Sequence, residues 1–161
     1  MSRHASHRLL IRSLFLIGAA AAFLTPAVQA GGPYQYHSLT PCRIADTRFN
    51  SGTINGGPAL HTNSARNFQI QGTCGVPVGA QAATLNLTIV TPAMTSPNGF
   101  LTVWPSGSTQ PTVSTINFTN SDTALANGAI VPLSANAQDM SVYFGGAGTV
   151  HLIIDVTGYF Q

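Results

Sequence analysis

Ala83-Thr84-Leu85-Asn86-Leu87-Thr88-Ile89 places an aliphatic side chain at every second position and a small polar one between each pair. Successive side chains of a strand point to opposite faces, so a period of two reads as a strand with one face in a core and the other in water. The same signal recurs along the chain. Near the C-terminus Val150, Leu152, Ile154 and Val156 share one face, opposite His151 and Asp155, and from Ala65 to Gln71 the residues Arg66, Phe68 and Ile70 alternate with Asn67, Gln69 and Gln71. Shorter strands are read at 100–104, ended by Pro105, and at 113–118, 129–133 and 140–144. Gly145-Gly146-Ala147-Gly148 reads as the loop of a β-hairpin joining the last two strands. Residues 49–64 read as a long loop, and Pro97-Asn98-Gly99 and Asn120-Ser121-Asp122 as turns. About eight short strands at nearly even spacing, with no amphipathic helix, predict an all-β antiparallel β-sandwich or jelly roll.

The N-terminus follows another logic. Arg3, Arg8 and Arg12 precede an apolar run from Leu14 to Leu24, and Val28-Gln29-Ala30 offers the small residues of a cleavage site. This order predicts a signal peptide over 1–30 and a single β domain over 31–161. The run is shorter than the roughly 20 residues a membrane span needs, so no membrane span is expected after processing. Removing the leader leaves Arg43, Arg48 and Arg66 against Asp46, Asp122, Asp139 and Asp155, a formal charge of −1, with no Lys and no Glu. The basic balance of the whole chain belongs to the leader, and no nucleic-acid partner is expected. Cys42 and Cys74, an even pair in an exported chain, predict one disulfide, worth about 3.5 kcal/mol in the chain-entropy account.

Three of the seven remaining charges fall in Thr40-Pro41-Cys42-Arg43-Ile44-Ala45-Asp46-Thr47-Arg48. Strand alternation puts Ile44, Asp46 and Arg48 on one face, and Arg66 on the apolar face of its own strand. Arg43, Asp46, Arg48, Arg66 and Asp155 thus form a candidate charge cluster near the disulfide. As structure, it ties the first strands together, because an unpaired buried charge is costly. As function, it is an anion or carboxylate site built on guanidinium forks. His151 and Asp155 lie four apart on one strand, about 13 Å, too far to pair, so Asp155 is better matched to an arginine such as Arg43.

No nucleophile elbow, paired glutamates or His-Glu-x-x-His run appears, so no catalytic residue is assigned and no enzyme is expected. No metal site and no cofactor are expected either, the oxygens of Asn117, Asn120, Ser121 and Asp122 reading as a turn. Trp104, with Phe100, Tyr143 and Tyr159 as neighbours, is a candidate surface for stacking sugar rings. The structural alternative for Trp104 is core or rim packing.

Pro41-Cys42-Arg43-Ile44-Ala45-Asp46-Thr47-Arg48, Cys74-Gly75-Val76-Pro77, Gly99-Phe100-Leu101-Thr102-Val103-Trp104-Pro105 and His151-Leu152-Ile153-Ile154-Asp155-Val156-Thr157-Gly158-Tyr159-Phe160 together resemble a family of exported bacterial β-rich modules, some fused within larger surface proteins. The resemblance spans nearly the whole chain after the leader and implies export and a β fold, with no catalytic residue. Gly148 ahead of Val150, Leu152, Ile154 and Val156, with Phe160 next to last, is similar to the chaperone-recognition strand of chaperone-usher fimbrial subunits, which implies a neighbour's N-terminal segment completing the sheet. The segment 31–39 departs from that pattern, being short and poorly alternating. The sequence therefore predicts a secreted, extracellular or cell-surface module, periplasmic in the alternative. Its expected partners are glycans or cell-surface proteins, and self-association is the competing expectation.

Overall fold

The computed structural model describes residues 33–161, the side chains at 91 and 92 excepted. The leader expected over 1–30 lies outside the described residues. Nine strands and no helix occur among them: β1 (Tyr36–Asp46), β2 (Leu60–His61), β3 (Ser64–Phe68), β4 (Ala82–Met94), β5 (Asn98–Pro105), β6 (Ile116–Thr119), β7 (Ala124–Pro132), β8 (Met140–Gly145) and β9 (Gly148–Phe160). They form two antiparallel sheets, a β-sandwich. The first runs β1-β9-β4-β7, with β2 also on β9, and the second runs β3-β8-β5-β6.

The alternating aliphatics make the interior. Leu85, Leu87 and Ile89 of β4 and Val150, Leu152, Ile154 and Val156 of β9 meet Phe68, Leu101, Val142 and Phe144 of the other sheet, each nearly or fully buried. Burying each such side chain stabilises the fold by about 1.5–3 kcal/mol. The 13-residue strand β9 is flanked by β1 on one side and β4 on the other, so the C-terminal strand already has both neighbours within its own chain. Cys42 and Cys74 are joined, tying β1 to the turn before β4, where Cys74 takes a left-handed φ of 51°.

Two local readings differ from the sequence expectation. Residues 140–144 and 149–157 do not form a hairpin: β8 pairs with β3 and β5, β9 with β1, β2 and β4, and the glycine turn carries the chain from one sheet to the other. Both strands offer an apolar face, and facing each other across the core buries both. Gly148 permits the crossing, with φ of 108° and no room for a Cβ against the backbone of Ala93 and Met94. The second difference is a β-bulge. Arg43 pairs with Asp155 and Ala45 with Ile154, which leaves Ile44 as the extra residue, so Ile44 and Ala45 are both buried and Asp46 returns to the outer face beside Arg43. Strict alternation had turned Asp46 inward with Ile44.

Candidate functional site

The bulge assembles most of the charge cluster. Arg43 donates from Nε and Nη2 to the two oxygens of Asp155 (2.9 and 3.2 Å), and its Nη1 lies 3.6 Å from Asp46. Arg48 grips Asp46 with the same fork (2.9 and 2.7 Å), and its backbone N–H adds a third bond. The result is an alternating row, Asp155, Arg43, Asp46, Arg48, with no net charge. Arg48 in particular holds the Asp46 carboxyl below its ordinary range. Each guanidinium already has its carboxylate, so the row is fitted for holding β1 to β9 and offers no free fork to an incoming anion.

Arg66 is not part of this row. It donates to the carbonyls of Thr53, Ile54, Gly56 and Pro58 and lies over the Phe68 ring, 4.9 Å from its centre. Its role is to pin the 53–58 loop. Burial, with no carboxylate beside it, pushes its pKa down. Alternation placed Arg66 correctly on the Phe68 side, yet its partners are backbone carbonyls, which no pattern of acidic residues could reveal.

The outer face of the four-stranded sheet is built differently. Along β5, Leu101 turns inward and Phe100, Thr102 and Trp104 outward, while β8 contributes Tyr143 and Gly145 and β6 contributes Asn117 and Thr119. The register sets Phe100 opposite Gly145 and Tyr143 opposite Thr102. A Cβ at position 145 would overlap Cζ and Cε1 of Phe100, so this glycine is what lets the ring lie across the sheet. Phe100 is 37% exposed and stands 6.0 Å from the Tyr143 ring, tilted by 48°.

A cavity of about 660 Å³ opens on one side of this pair and one of about 640 Å³ on the other. Both are of the size of small-ligand sites. The first is lined by Asn63, Asn98, Asn117, Thr119 and Asp122, the second by Gln110, Thr112, Ser114 and Asn117. Phe100, Asn117 and Tyr143 belong to both, so the two make one groove with an aromatic ridge at its middle. Asn63 sits in the β2–β3 turn at a left-handed φ of 45°, and its Oδ1 accepts from the Tyr143 hydroxyl and the Gly146 N–H (both 3.3 Å). The Asp122 Oδ2 accepts from the N–H and hydroxyl of Thr119 (2.6 and 3.0 Å). Asp122 Oδ1 and the side-chain amide of Asn98 have no hydrogen-bond partner among the described residues.

The expected stacking surface of four aromatics is therefore corrected to two. Trp104 also points outward, but its indole N–H donates to the Ser108 carbonyl (3.1 Å), the segment after β5 covers it, and only 7% of it is exposed. Tyr159 belongs to the other sheet, where it stacks on His37 at 4.9 Å. Asn63, Asn98, Asp122 and Gly145 were missed. The signals for Asn63 and Asp122 are turn chemistry, which says nothing of a groove, and those for Asn98 and Gly145 appear only once strand order is known.

Among the described residues, no three His, Cys, Asp or Glu side chains are grouped to hold a metal ion, and no helix is long and apolar enough to cross a membrane. No family model and no curated protein matches the sequence. Among solved structures, the chain is similar to the coat protein of Tobacco streak virus, in a structure of its dimer. That similarity is 9% identity over 81% of this chain and 90% of the other, with a TM-score of 0.34, an overlap too loose to transfer anything from one protein to the other.

Proposed function

We propose that this protein is a secreted, non-enzymatic β-sandwich module that binds glycans through the groove centred on Phe100 and Tyr143. The observation that carries the reading is that aromatic pair, with Phe100 seated on Gly145, between two cavities whose linings include amides and hydroxyls. Sugar rings offer apolar C–H faces and a fringe of hydroxyls, which an aromatic ridge with Asn, Gln and Thr on both sides complements. The leader and the disulfide favour an oxidising, extracellular setting.

Competing readings draw less support. Among the described residues, acid-base chemistry finds no histidine in the groove: His37 stacks on Tyr159, His61 lies in β2 and His151 contacts Thr47 (3.2 Å). A fimbrial subunit draws none from a C-terminal strand that pairs along both edges with strands of its own chain.

The test is retention on immobilised polysaccharides, compared between the wild type, Phe100→Ala, Tyr143→Ala and the double variant. Loss of one stacking ring removes about 0.5–1.5 kcal/mol, so each single variant weakens binding about two- to tenfold and the double variant abolishes retention. Trp104 fluorescence reports whether each variant is folded. Undiminished retention of a folded double variant refutes the groove as the site.

A further inference from the structure

We infer that the groove takes an amino-sugar polysaccharide carrying free ammonium groups, and that Asp122 is the residue that selects it. This rests on the glycan reading above and adds the charge of the ligand. The sequence has no lysine. Each described arginine is engaged elsewhere: Arg43 and Arg48 with Asp155 and Asp46 beside the five-stranded sheet, and Arg66 with the carbonyls of the 53–58 loop. Among the described residues, no cation lines either cavity. An acidic sugar entering the groove would meet no positive partner and would bring its carboxylate toward Asp122.

Asp122 is the one carboxylate that lines the groove. The other three described aspartates are spent: Asp46 and Asp155 in the charge row, and Asp139, fully buried, on the backbone N–H groups of Ile70 and Gln71. Asp122 has one oxygen fixed by Thr119, which holds the side chain in place, while the other has no partner among the described residues, and Asp122 lines the same cavity as Asn98 and Phe100. This set matches an amino sugar stacked on the ridge: ring on Phe100, hydroxyls on Asn98 and Asn117, ammonium on the open oxygen of Asp122. An exposed ion pair of this kind is worth only a few-fold in affinity, so Asp122 tunes choice among glycans and stacking supplies most of the binding.

The experiment is calorimetric titration of the oxidised protein with three soluble β-1,4-linked or α-1,4-linked oligosaccharides of equal length: glucosamine, glucose and galacturonate. Expected is glucosamine bound about three- to fivefold more tightly than glucose, with that margin shrinking as salt is raised, and galacturonate weakest. Asp122→Asn keeps an oxygen for the Thr119 N–H and removes the charge, so it should erase the margin of glucosamine over glucose. Galacturonate bound as tightly as glucosamine, or a glucosamine margin that survives Asp122→Asn, overturns the inference and leaves the glycan reading standing, provided the double variant of Phe100→Ala and Tyr143→Ala abolishes binding. Failure of all three sugars to bind removes the glycan reading and this inference with it.

Discussion

Asp139→Ala should be among the most damaging single changes in this molecule, although the residue belongs to none of the expected sites. Its side chain is fully buried, and its two oxygens accept from the backbone N–H groups of Ile70 (3.0 Å) and Gln71 (2.7 Å), both buried themselves. Its own carbonyl accepts from Ser106 and Ser134 and survives substitution. Removing the carboxylate leaves two buried donors unpaired, and at about 1–3 kcal/mol each the gross loss is about 2–6 kcal/mol. Part of this is returned, because burial pushes the Asp139 carboxyl above its ordinary range, so the wild type already pays to desolvate it; the net loss is then about 1–4 kcal/mol. That is a large fraction of a typical domain's stability. The assay is urea unfolding followed by Trp104, the single tryptophan, whose burial makes its emission a reporter of folding. Asp139→Asn keeps one acceptor and turns an amide donor toward the other N–H, so its loss should fall between wild type and Asp139→Ala. A loss below about 0.5 kcal/mol for Asp139→Ala would show that water or a shifted backbone replaces the carboxylate, and the reasoning from orphaned donors would fail.

Two further predictions concern the other charges. Arg66→Ala, and Arg66→Lys nearly as much because an ammonium cannot span several carbonyls, should release the 53–58 loop. Amide exchange in that loop should accelerate and stability fall by about 1–3 kcal/mol, while the glycan binding proposed at Phe100 and Tyr143 stays intact. For pH, Asp46 and Asp139 act with opposite sign. Asp46, lowered by Arg48, contributes stability above the unfolded carboxylate value of about 3.9 and loses it as the pH falls through its depressed native value. Asp139, raised by burial, costs stability above its native value, and that cost is relieved as the pH falls toward the unfolded one. Unfolding midpoints against pH should thus show Asp46→Asn less acid-sensitive than wild type below about pH 4, and an Asp46→Asn profile parallel to wild type there would refute the assignment.

How far the sequence reaches is set by what alternation encodes. Leu85, Leu87 and Ile89, or Val150 to Val156, declare an inner face whatever strand they neighbour, so fold class and core are readable without topology. A single bulge at Ile44 was enough to invert the face of Asp46, because one inserted residue moves everything after it to the other side. The hairpin expected at Gly145 to Gly148 failed for a related reason: a glycine turn says that the chain reverses and leaves open whether the returning strand pairs with its predecessor or faces it across a core. The groove lies further out of reach. A sandwich has two outer faces of similar polar composition, and period two marks Phe100, Trp104 and Tyr143 alike as outward. What separates an exposed ring from a sealed one is the opposite strand and the following loop. Gly145 stands across from Phe100 and leaves its ring space to lie open, whereas the chain after Pro105 folds back so that Ser108 caps the indole of Trp104. Tryptophan is the stronger sugar-stacking residue on chemistry alone, and ranking the aromatics by type therefore selected the one that the fold had buried.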